Sequence, residues 1–404
     1  MVNGWWRRRS ASAGRAATGT PAPGGTVAAT AAPASALPRA TVLLLGVAAA
    51  TVAVFGMAAA RSVVAPVFLA LVLTICMHPV RRMLERRGVP RGLATGSAIV
   101  AVFALLAGFF AALYIALVQF TVLLPEYADE IEAALASLAT GLEAIGIGAA
   151  QAETIVGGLE PSGVIELVTS FLGGITGIVF SLVIVLTLLI LMAMDASYGP
   201  AILSQLRSRR SALVDALVGF TVNVRRYMVV TAALGAAQGL INWIALLILQ
   251  VPGAALWGLL SFICSFIPNI GYFIAIIPPL VFGFLSGGWP TVIAVIVLYG
   301  LVNAVVQSII QPKVVGGAVR LSETITFVSV LFWSLVLGAI GAILAVPLTL
   351  LARTLLIDAD PSIRWWRPAT GDVHDMKDLA AEMGAEVAAQ GRADREARAE
   401  RRRK

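Results

Sequence analysis

The sequence predicts an all-α polytopic membrane protein with about eight transmembrane segments. Of its 404 residues, 59% are hydrophobic and only 13% are charged, whereas soluble domains carry about 25% charged residues. Apolar stretches of about 20 residues recur along the chain, and this is the length of helix that crosses ~30 Å of hydrocarbon. The stretches do not show the polar–apolar alternation of strands in a membrane β-barrel.

Apolar segments and polar tails divide the chain into five regions. The candidate spans are approximately 37–60, 62–77, 93–118, 171–194, 228–249, 256–285, 289–310 and 324–356. They fall into a first membrane region, 37–118, and a second one, 171–356. Residues 1–36 are rich in Ala, Gly and Pro, and predict a disordered basic tail. Residues 119–170 separate the two membrane regions, and residues 357–404 form a charged C-terminal tail.

The charges in the loops predict how the segments are oriented. Residues 78–92 contain five arginines, and residues 195–227 contain another five, whereas residues 119–170 contain eight acidic residues and no Lys or Arg. The positive-inside rule therefore places the arginine-rich loops and both termini in the cytoplasm. The acidic segment, which reads as short amphipathic helices, then lies outside the cell. It is either a polar cap or a lid over a pathway.

Several classes of function lack the residues that they need. An ATPase phosphate loop requires a Gly-Lys pair, but none of the three lysines follows a glycine. The two histidines lie on different segments, so the spacing of a zinc site is absent, and no cluster of Ser, His and Asp suggests catalysis. We therefore expect no metal site, no cofactor and no enzymatic activity. The net charge of +7 fits cytoplasmic arginines that face anionic lipid better than it fits nucleic-acid binding.

Gly and Pro interrupt two of the apolar segments. Residues 256–285 include IPNIGYFIAIIPPL, and residues 324–356 include LGAIGAILAVPLTL. As straight helices, both would exceed ~30 Å of hydrocarbon, since a helix rises ~1.5 Å per residue. Paired interruptions of this kind indicate a transporter binding site, although simple kinks remain the alternative. Each break is either a bend in one span or the turn of a re-entrant hairpin.

Polar residues and prolines lie at these breaks and between them. Asn303, Gln307 and Gln311 recur every four residues, so an α-helix would place their amides on one stripe. Such a stripe either holds a neighbouring helix or lines a polar pathway. The predicted substrate pathway comprises Pro268, Asn269, Gly271, Asn303, Gln307, Gln311, Pro312, Lys313 and Glu323. The predicted hinges are Gly271, Pro278, Gly338, Gly341 and Pro347.

The positions of the carboxylates disfavour a proton relay at the middle of the membrane. No Asp or Glu occurs between Asp215 and Glu323, or between Glu323 and Asp358. Proton-coupled carriers commonly bury a carboxylate inside a span. Coupling through Glu323, with Lys313 or Arg320 as its partner, remains open.

Five motifs occur in this order between roughly Val63 and Leu356: HPVRRMLERRGVPRGLA, VRRYM, FIPNIG, IIQPKVVGGAVRL and LGAIGAILAVPL. In this combination the chain resembles the AI-2E family, the autoinducer-2 exporters, also called PerM-like transporters. The resemblance implies a multi-pass protein of the bacterial cytoplasmic (inner) membrane, with the lipid bilayer and a small-molecule substrate as partners. It also implies a homo-oligomer, with pentamers in the family.

The paired breaks and the absence of carboxylates within the spans lead us to expect a secondary transporter or facilitator that exports a small polar molecule. The quorum-sensing signal autoinducer-2 is the candidate substrate, and residues 171–356 would form the transport core. Some family members are assigned to cation/proton antiport, so antiport is the first alternative. A membrane scaffold that transports nothing is the second alternative.

Overall fold

The computed structural model describes residues 38–123, 175–196, 198–311 and 321–403, with the single positions 125, 129, 133, 136, 140 and 313. The predicted tail 1–36 and most of the acidic segment 119–170 lie outside these residues. The chain divides into two compact units, residues 1–51 and 52–404. All of the contacts reported below lie within the second unit.

The described residues form α-helices joined by short loops. The helices are α1 (Arg39–Ala59), α2 (Arg61–Arg86), α3 (Arg91–Leu123), α4 (Ile175–Asp195), α5 (Gly199–Arg209), α6 (Ser211–Ile248), α7 (Ala254–Cys264), α8 (Gly271–Asn303), α9 (Glu323–Ile343), α10 (Ala345–Arg353) and α11 (Val373–Arg403). Turns of π type extend α8 over Ala304–Ile310 and α10 over Thr354–Asp358. The short 3-10 turns Pro361–Trp366 and Pro368–Thr370 precede α11. The predicted all-α class is confirmed.

Length and composition identify the helices that can cross a membrane. Within the described residues, six helices are long and apolar enough, or seven when the bent pair α4 and α5 counts as one span. Their apolar side chains are largely exposed, as for Phe55 at 71% and Leu335 at 81%, which is expected of surfaces that face lipid. The protein is therefore a multi-pass membrane protein, and the number of eight spans stays a prediction, because α8 and α9 are counted here as unbroken helices.

Residues 254–287 fold into an antiparallel helical hairpin, which we call hairpin A. Its first limb is α7, which has 11 residues and is therefore ~16 Å long, about half the thickness of the hydrocarbon. Its second limb is the beginning of α8, and Trp257 packs on Phe282 across the two limbs, with ring centroids 5.5 Å apart. The predicted segment 256–285 is thus not one span but two short antiparallel helices.

The turn at the tip of hairpin A depends on two residues. Asn269 has a left-handed backbone with φ 64°, a conformation that Asn tolerates better than most residues. Gly271 then opens α8 directly against the end of α7. A Cβ atom at Gly271 would overlap the carbonyl oxygen of Cys264, so the two helix ends approach this closely only because residue 271 has no side chain.

A second reversal of direction lies inside α8. Gly288 has φ 67° and ψ −159°, a combination that is essentially restricted to glycine. Beyond it the chain runs back along the second limb of hairpin A, so that Tyr272 Oη lies 3.7 Å from a Cβ atom placed at Gly300. In a straight helix, 28 residues would separate these positions by ~42 Å. Helix α8 therefore consists of two antiparallel parts, 271–287 and 289–303.

Residues 323–358 form a second helical hairpin, which we call hairpin B. Its turn is Gly338, with φ 70° and ψ −150°, nearly the same backbone conformation as at Gly288. Across the turn, the indole N–H of Trp333 donates to Thr349 Oγ1 at 3.0 Å. A Cβ atom at Gly341 would overlap the carbonyl oxygen of Trp333. The predicted span 324–356 is therefore a hairpin, which reverses within the segment.

The tips of the two hairpins pack into one hydrophobic cluster. Phe266, Ile267 and Ile270 at the tip of hairpin A pack against a set of buried residues that includes Trp333 and Leu337 of hairpin B. Residues of α2 and α6 belong to the same cluster. The apolar side chains on either side of the turn of hairpin A thus pack against protein, whereas Asn269 itself is exposed.

Glycines bring α6 against hairpin A. A Cβ atom at Gly239 would lie 2.6 Å from the carbonyl oxygen of Gly258, and one at Gly235 would lie 2.9 Å from Ser265 Cβ. Small residues allow membrane helices to approach in this way. The close approach places the polar side chains of α6 beside the tip of hairpin A.

Candidate functional site

Polar side chains from α6, hairpin A and the second part of α8 meet beside the tip of hairpin A. We call this set the tip cluster, and its residues are Gln238, Ser261, Cys264, Ser265, Gly271, Tyr272, Ala275, Tyr299 and Gln307. Gln238, Ser261 and Tyr299 are only 6%, 2% and 1% exposed. Polar groups that are buried among apolar helices are costly without hydrogen bonds, so this concentration of polar residues requires an explanation.

Ser261 stands at the centre of the hydrogen bonds in this region. Asn242 Nδ2 of α6 donates to Ser261 Oγ at 3.2 Å, and the Ser261 hydroxyl donates to the carbonyl of Trp257 at 2.9 Å. Tyr299 Oη lies 3.4 Å from Ser261 Oγ. The Ser265 hydroxyl in turn donates to the carbonyl of Ser261 at 2.8 Å. These bonds connect α6, hairpin A and the second part of α8.

Two buried side-chain amide oxygens can each accept a further hydrogen bond. Asn242 Oδ1 and Asn303 Oδ1 find no hydrogen-bond partner among the described residues. Leaving such a group unsatisfied costs ~1–3 kcal/mol, so a further hydrogen bond to either oxygen would be favourable. The described side chains of the tip cluster leave no room for a small molecule between them. A small molecule would fit among these side chains only if the helices that carry them moved apart.

The structure places two of the predicted pathway residues, Gly271 and Gln307, in the tip cluster. Gln307 lies in the π-type segment Ala304–Ile310, and such irregular turns are frequent at functional sites. Asn303 and Gln311 are half-buried but do not belong to the cluster. The structure thus brings Gln307 to the tip cluster without Asn303 and Gln311, and a common role of the three amides stays a prediction.

The other predicted pathway residues lie elsewhere. Pro268 and Asn269 are in the turn of hairpin A, beside the tip cluster rather than in it. Glu323 is exposed in the first turn of α9, directly after Ser322, whose hydroxyl accepts from the backbone N–H of Ile325 at 3.3 Å. A carboxylate is favourable at this end of a helix. Lys313 is exposed, and Pro312 lies outside the described residues.

The predicted hinges occupy two kinds of position. Gly271 and Gly341 lie at close backbone approaches, and Gly338 is the turn of hairpin B. Pro278 and Pro347, in contrast, lie within the continuous helical stretches 271–287 and 345–353. Gly288 was not among the predicted hinges, although its backbone reverses the chain as Gly338 does.

Sequence reasoning missed Gln238, Ser261 and Tyr299. Each is an isolated polar residue in an apolar run, and such residues usually hold neighbouring helices together. A signal was present for Gln238, which stands between Gly235 and Gly239, the two glycines that bring α6 against hairpin A. No comparable signal marks Ser261 or Tyr299, because 38 residues separate them and only the fold brings them together.

Comparison with known proteins identifies the family of the chain. The profile of the AI-2E family transporters matches residues 42–359. The "AI-2 transport protein TqsA" of Escherichia coli K12 is 29% identical over 295 residues, which cover 73% of this chain and 86% of that protein. The "Putative transport protein YhhT" of the same organism is 25% identical over 71% of this chain and 82% of its own length.

A third relative, a "Putative transport protein" of Haemophilus influenzae, is 28% identical over 351 residues, which cover 83% of this chain and 97% of that protein. The match to the family profile includes hairpin A, hairpin B and the whole tip cluster. The chain therefore belongs to the AI-2E family of transporters.

Proposed function

We propose that this chain is a secondary transporter or facilitator of the bacterial cytoplasmic membrane, and that it exports a small polar molecule. The observation that carries the proposal is the tip cluster, a buried set of amides and hydroxyls at the break between two half-helices. Transporter substrates bind at such breaks near the middle of the membrane. Autoinducer-2 is the first candidate, because one relative is named an AI-2 transport protein.

The chemistry of the tip cluster supports an uncharged substrate. All nine of its residues are neutral, and the chain has no Asp or Glu between Asp215 and Glu323. An ion that entered this region would lose its hydration without gaining a countercharge. Hydroxyl groups, in contrast, can exchange hydrogen bonds with Gln238, Ser261 and Gln307.

The two hairpins support a mechanism of alternating access. The loop charges place the base of hairpin A on the outer side and that of hairpin B on the cytoplasmic side. Since the two tips meet in one hydrophobic cluster, withdrawal of one hairpin would open the tip cluster towards its own side. The other hairpin would keep the opposite side closed.

Counterflow in proteoliposomes tests this function. We expect the protein to exchange labelled autoinducer-2, and Gln307→Leu to slow the exchange about three- to tenfold, as for one lost hydrogen bond of ~0.5–1.5 kcal/mol. Gln205→Leu removes an exposed amide on α5 and serves as the matched control, with an unchanged rate. Equal rates in the wild type and in Gln307→Leu would remove the tip cluster from the pathway.

The same vesicles test the antiport alternative. If Na⁺ addition collapses a pH gradient, and Glu323→Gln abolishes this response, the chain is an antiporter instead. The exposed position of Glu323 at the start of α9 leads us to expect no such response.

A further inference from the structure

A cavity of about 290 Å³ lies between the beginning of α6 and the end of hairpin B. Its polar lining consists of Asp215, Asn223, Arg353, Thr354, Asp358 and Arg367. None of these residues belongs to the tip cluster. The helix ends around the cavity lie on the side that the arginine-rich loops assign to the cytoplasm.

Charged groups at the cavity are paired with one another. Arg353 is 9% exposed, and its Nη2 donates to the fully buried carboxylate of Asp372. Its Nε lies 3.6 Å from Asp358 Oδ2, and Arg367 Nε donates to Asp358 Oδ1 at 2.7 Å. These two arginines and two aspartates have a combined charge of zero. Asp215, the remaining charged residue of the lining, is paired with Arg207 at 2.6 Å, so a charged ligand would find no unbalanced countercharge at the cavity.

Two N–H groups of Arg353, Nε and Nη1, are buried without a hydrogen-bond acceptor among the described residues. An arginine side chain remains protonated in proteins. The Nη1 group therefore cannot lose its proton to avoid the free-energy cost of a buried donor without an acceptor. Solvent does not reach Nη1 in this structure, so a ligand in the cavity would supply its acceptor once the guanidinium group turned towards it.

We propose that this cavity binds a small uncharged molecule that carries several hydroxyl groups. Arg353 Nη1 would donate to a ligand oxygen, the carboxylate of Asp215 would accept from a ligand hydroxyl, and the amide of Asn223 can do both. Hydroxyl groups suit this mixture, since each one donates and accepts. If each water takes ~30 Å³, the volume corresponds to about ten waters, which is the size of a five- or six-carbon sugar.

The position of the cavity gives the site a role in export, and this role rests on the proposed function. Arg353 and Thr354 lie on the second limb of hairpin B, so a ligand in the cavity contacts the element that would open the cytoplasmic side. The site would load substrate before it reaches the tip cluster. Binding itself is independent of transport and can be measured separately.

Ligand titration of the full-length protein in lipid nanodiscs, followed by saturation-transfer NMR, tests the proposal. The probes are D-ribose, ribose 5-phosphate and choline, which are uncharged, anionic and cationic. We expect saturable binding that is tightest for D-ribose. Asn223→Leu and Thr354→Val should each raise its Kd by about threefold or more, as expected for loss of one hydrogen bond.

The matched controls are Gln205→Leu and Thr221→Val. Gln205 is an exposed amide on α5, and the Thr221 hydroxyl donates to Val218 within α6; both variants should keep the wild-type Kd. The proposal is overturned if either charged probe binds more tightly than D-ribose, if D-ribose shows no saturable binding, or if Asn223→Leu leaves its Kd unchanged.

Gln307→Leu separates this site from the proposed function. It should bind D-ribose with the wild-type Kd, because Gln307 does not line the cavity. Saturable D-ribose binding without autoinducer-2 counterflow would support the cavity and contradict the proposed export. Counterflow that is unchanged in Asn223→Leu would support export and contradict the loading role.

Discussion

Asp372 is the most deeply buried acidic residue described, and its carboxylate pairs with Arg353, 19 residues earlier in the chain. The pair joins the C-terminal tail to hairpin B, together with the backbone N–H of Ser322, which donates to the carbonyl of Gly371 at 2.8 Å. From composition alone, residues 357–404 were predicted to form a charged tail. Composition could not show that one carboxylate of this tail returns to a membrane hairpin, because the pairing depends on the fold.

We expect Asp372→Ala to destabilise the protein by ~3–5 kcal/mol, because it leaves the Arg353 guanidinium buried without its closest countercharge. The double variant Arg353→Met/Asp372→Leu removes both charges and should recover most of this loss. Unfolding by denaturant in detergent measures both effects.

Asp215→Ala is the control for this prediction. It breaks an exposed pair with Arg207, whose side chains are 59% and 61% exposed, and such pairs contribute only ~0–1 kcal/mol. If Asp372→Ala costs no more than Asp215→Ala, the buried pair does not stabilise the fold.

Among the helices, the sequence predicted which segments are interrupted, but it did not predict which residues turn the chain. Gly and Pro marked both broken segments, yet Pro278 and Pro279 lie inside a helical stretch. Proline is tolerated in membrane helices where neighbouring groups satisfy the backbone. The turns fall at Gly288 and Gly338 instead, because packing between the limbs selects the glycine that must reverse the chain. That packing involves residues far apart in sequence, so local patterns could not reveal it.

We expect Gly288→Ala and Gly338→Ala each to destabilise the protein by ~1–3 kcal/mol, since both positions have a backbone conformation that is essentially restricted to glycine. Neither substitution meets a neighbouring atom closer than 3.8 Å, so the effect would arise from backbone strain. Thermal unfolding of the purified variants measures it.

Gly300→Ala provides the comparison for the turn glycines. It adds the same methyl group inside α8, where the nearest atom is Tyr272 Oη at 3.7 Å, and should leave stability almost unchanged. If Gly288→Ala and Gly338→Ala unfold at the same temperature as Gly300→Ala, the chain does not reverse at these two glycines.

Across the whole molecule, hydropathy was enough to predict a multi-pass helical protein, and the arginine-rich loops predicted an orientation. The number of spans was harder, because hydropathy does not distinguish an apolar segment that crosses the membrane from one that turns back. The segments 256–285 and 324–356 turn back, since they form hairpins A and B. The pentamer implied by the family resemblance and the cytoplasmic position of both termini stay predictions.

Cysteine labelling in intact cells tests the arrangement of the hairpins. In a background without Cys76 and Cys264, we expect Glu323→Cys and Asp360→Cys both to resist a membrane-impermeant maleimide added outside, and to react after the cells are opened. Both positions are exposed and flank hairpin B, which enters and leaves on one side. Trp289→Cys, next to the turn at Gly288 and 68% exposed in the wild type, should react from outside. A single span over 324–356 would instead place residues 323 and 360 on opposite sides, so labelling of only one of them from outside would refute hairpin B.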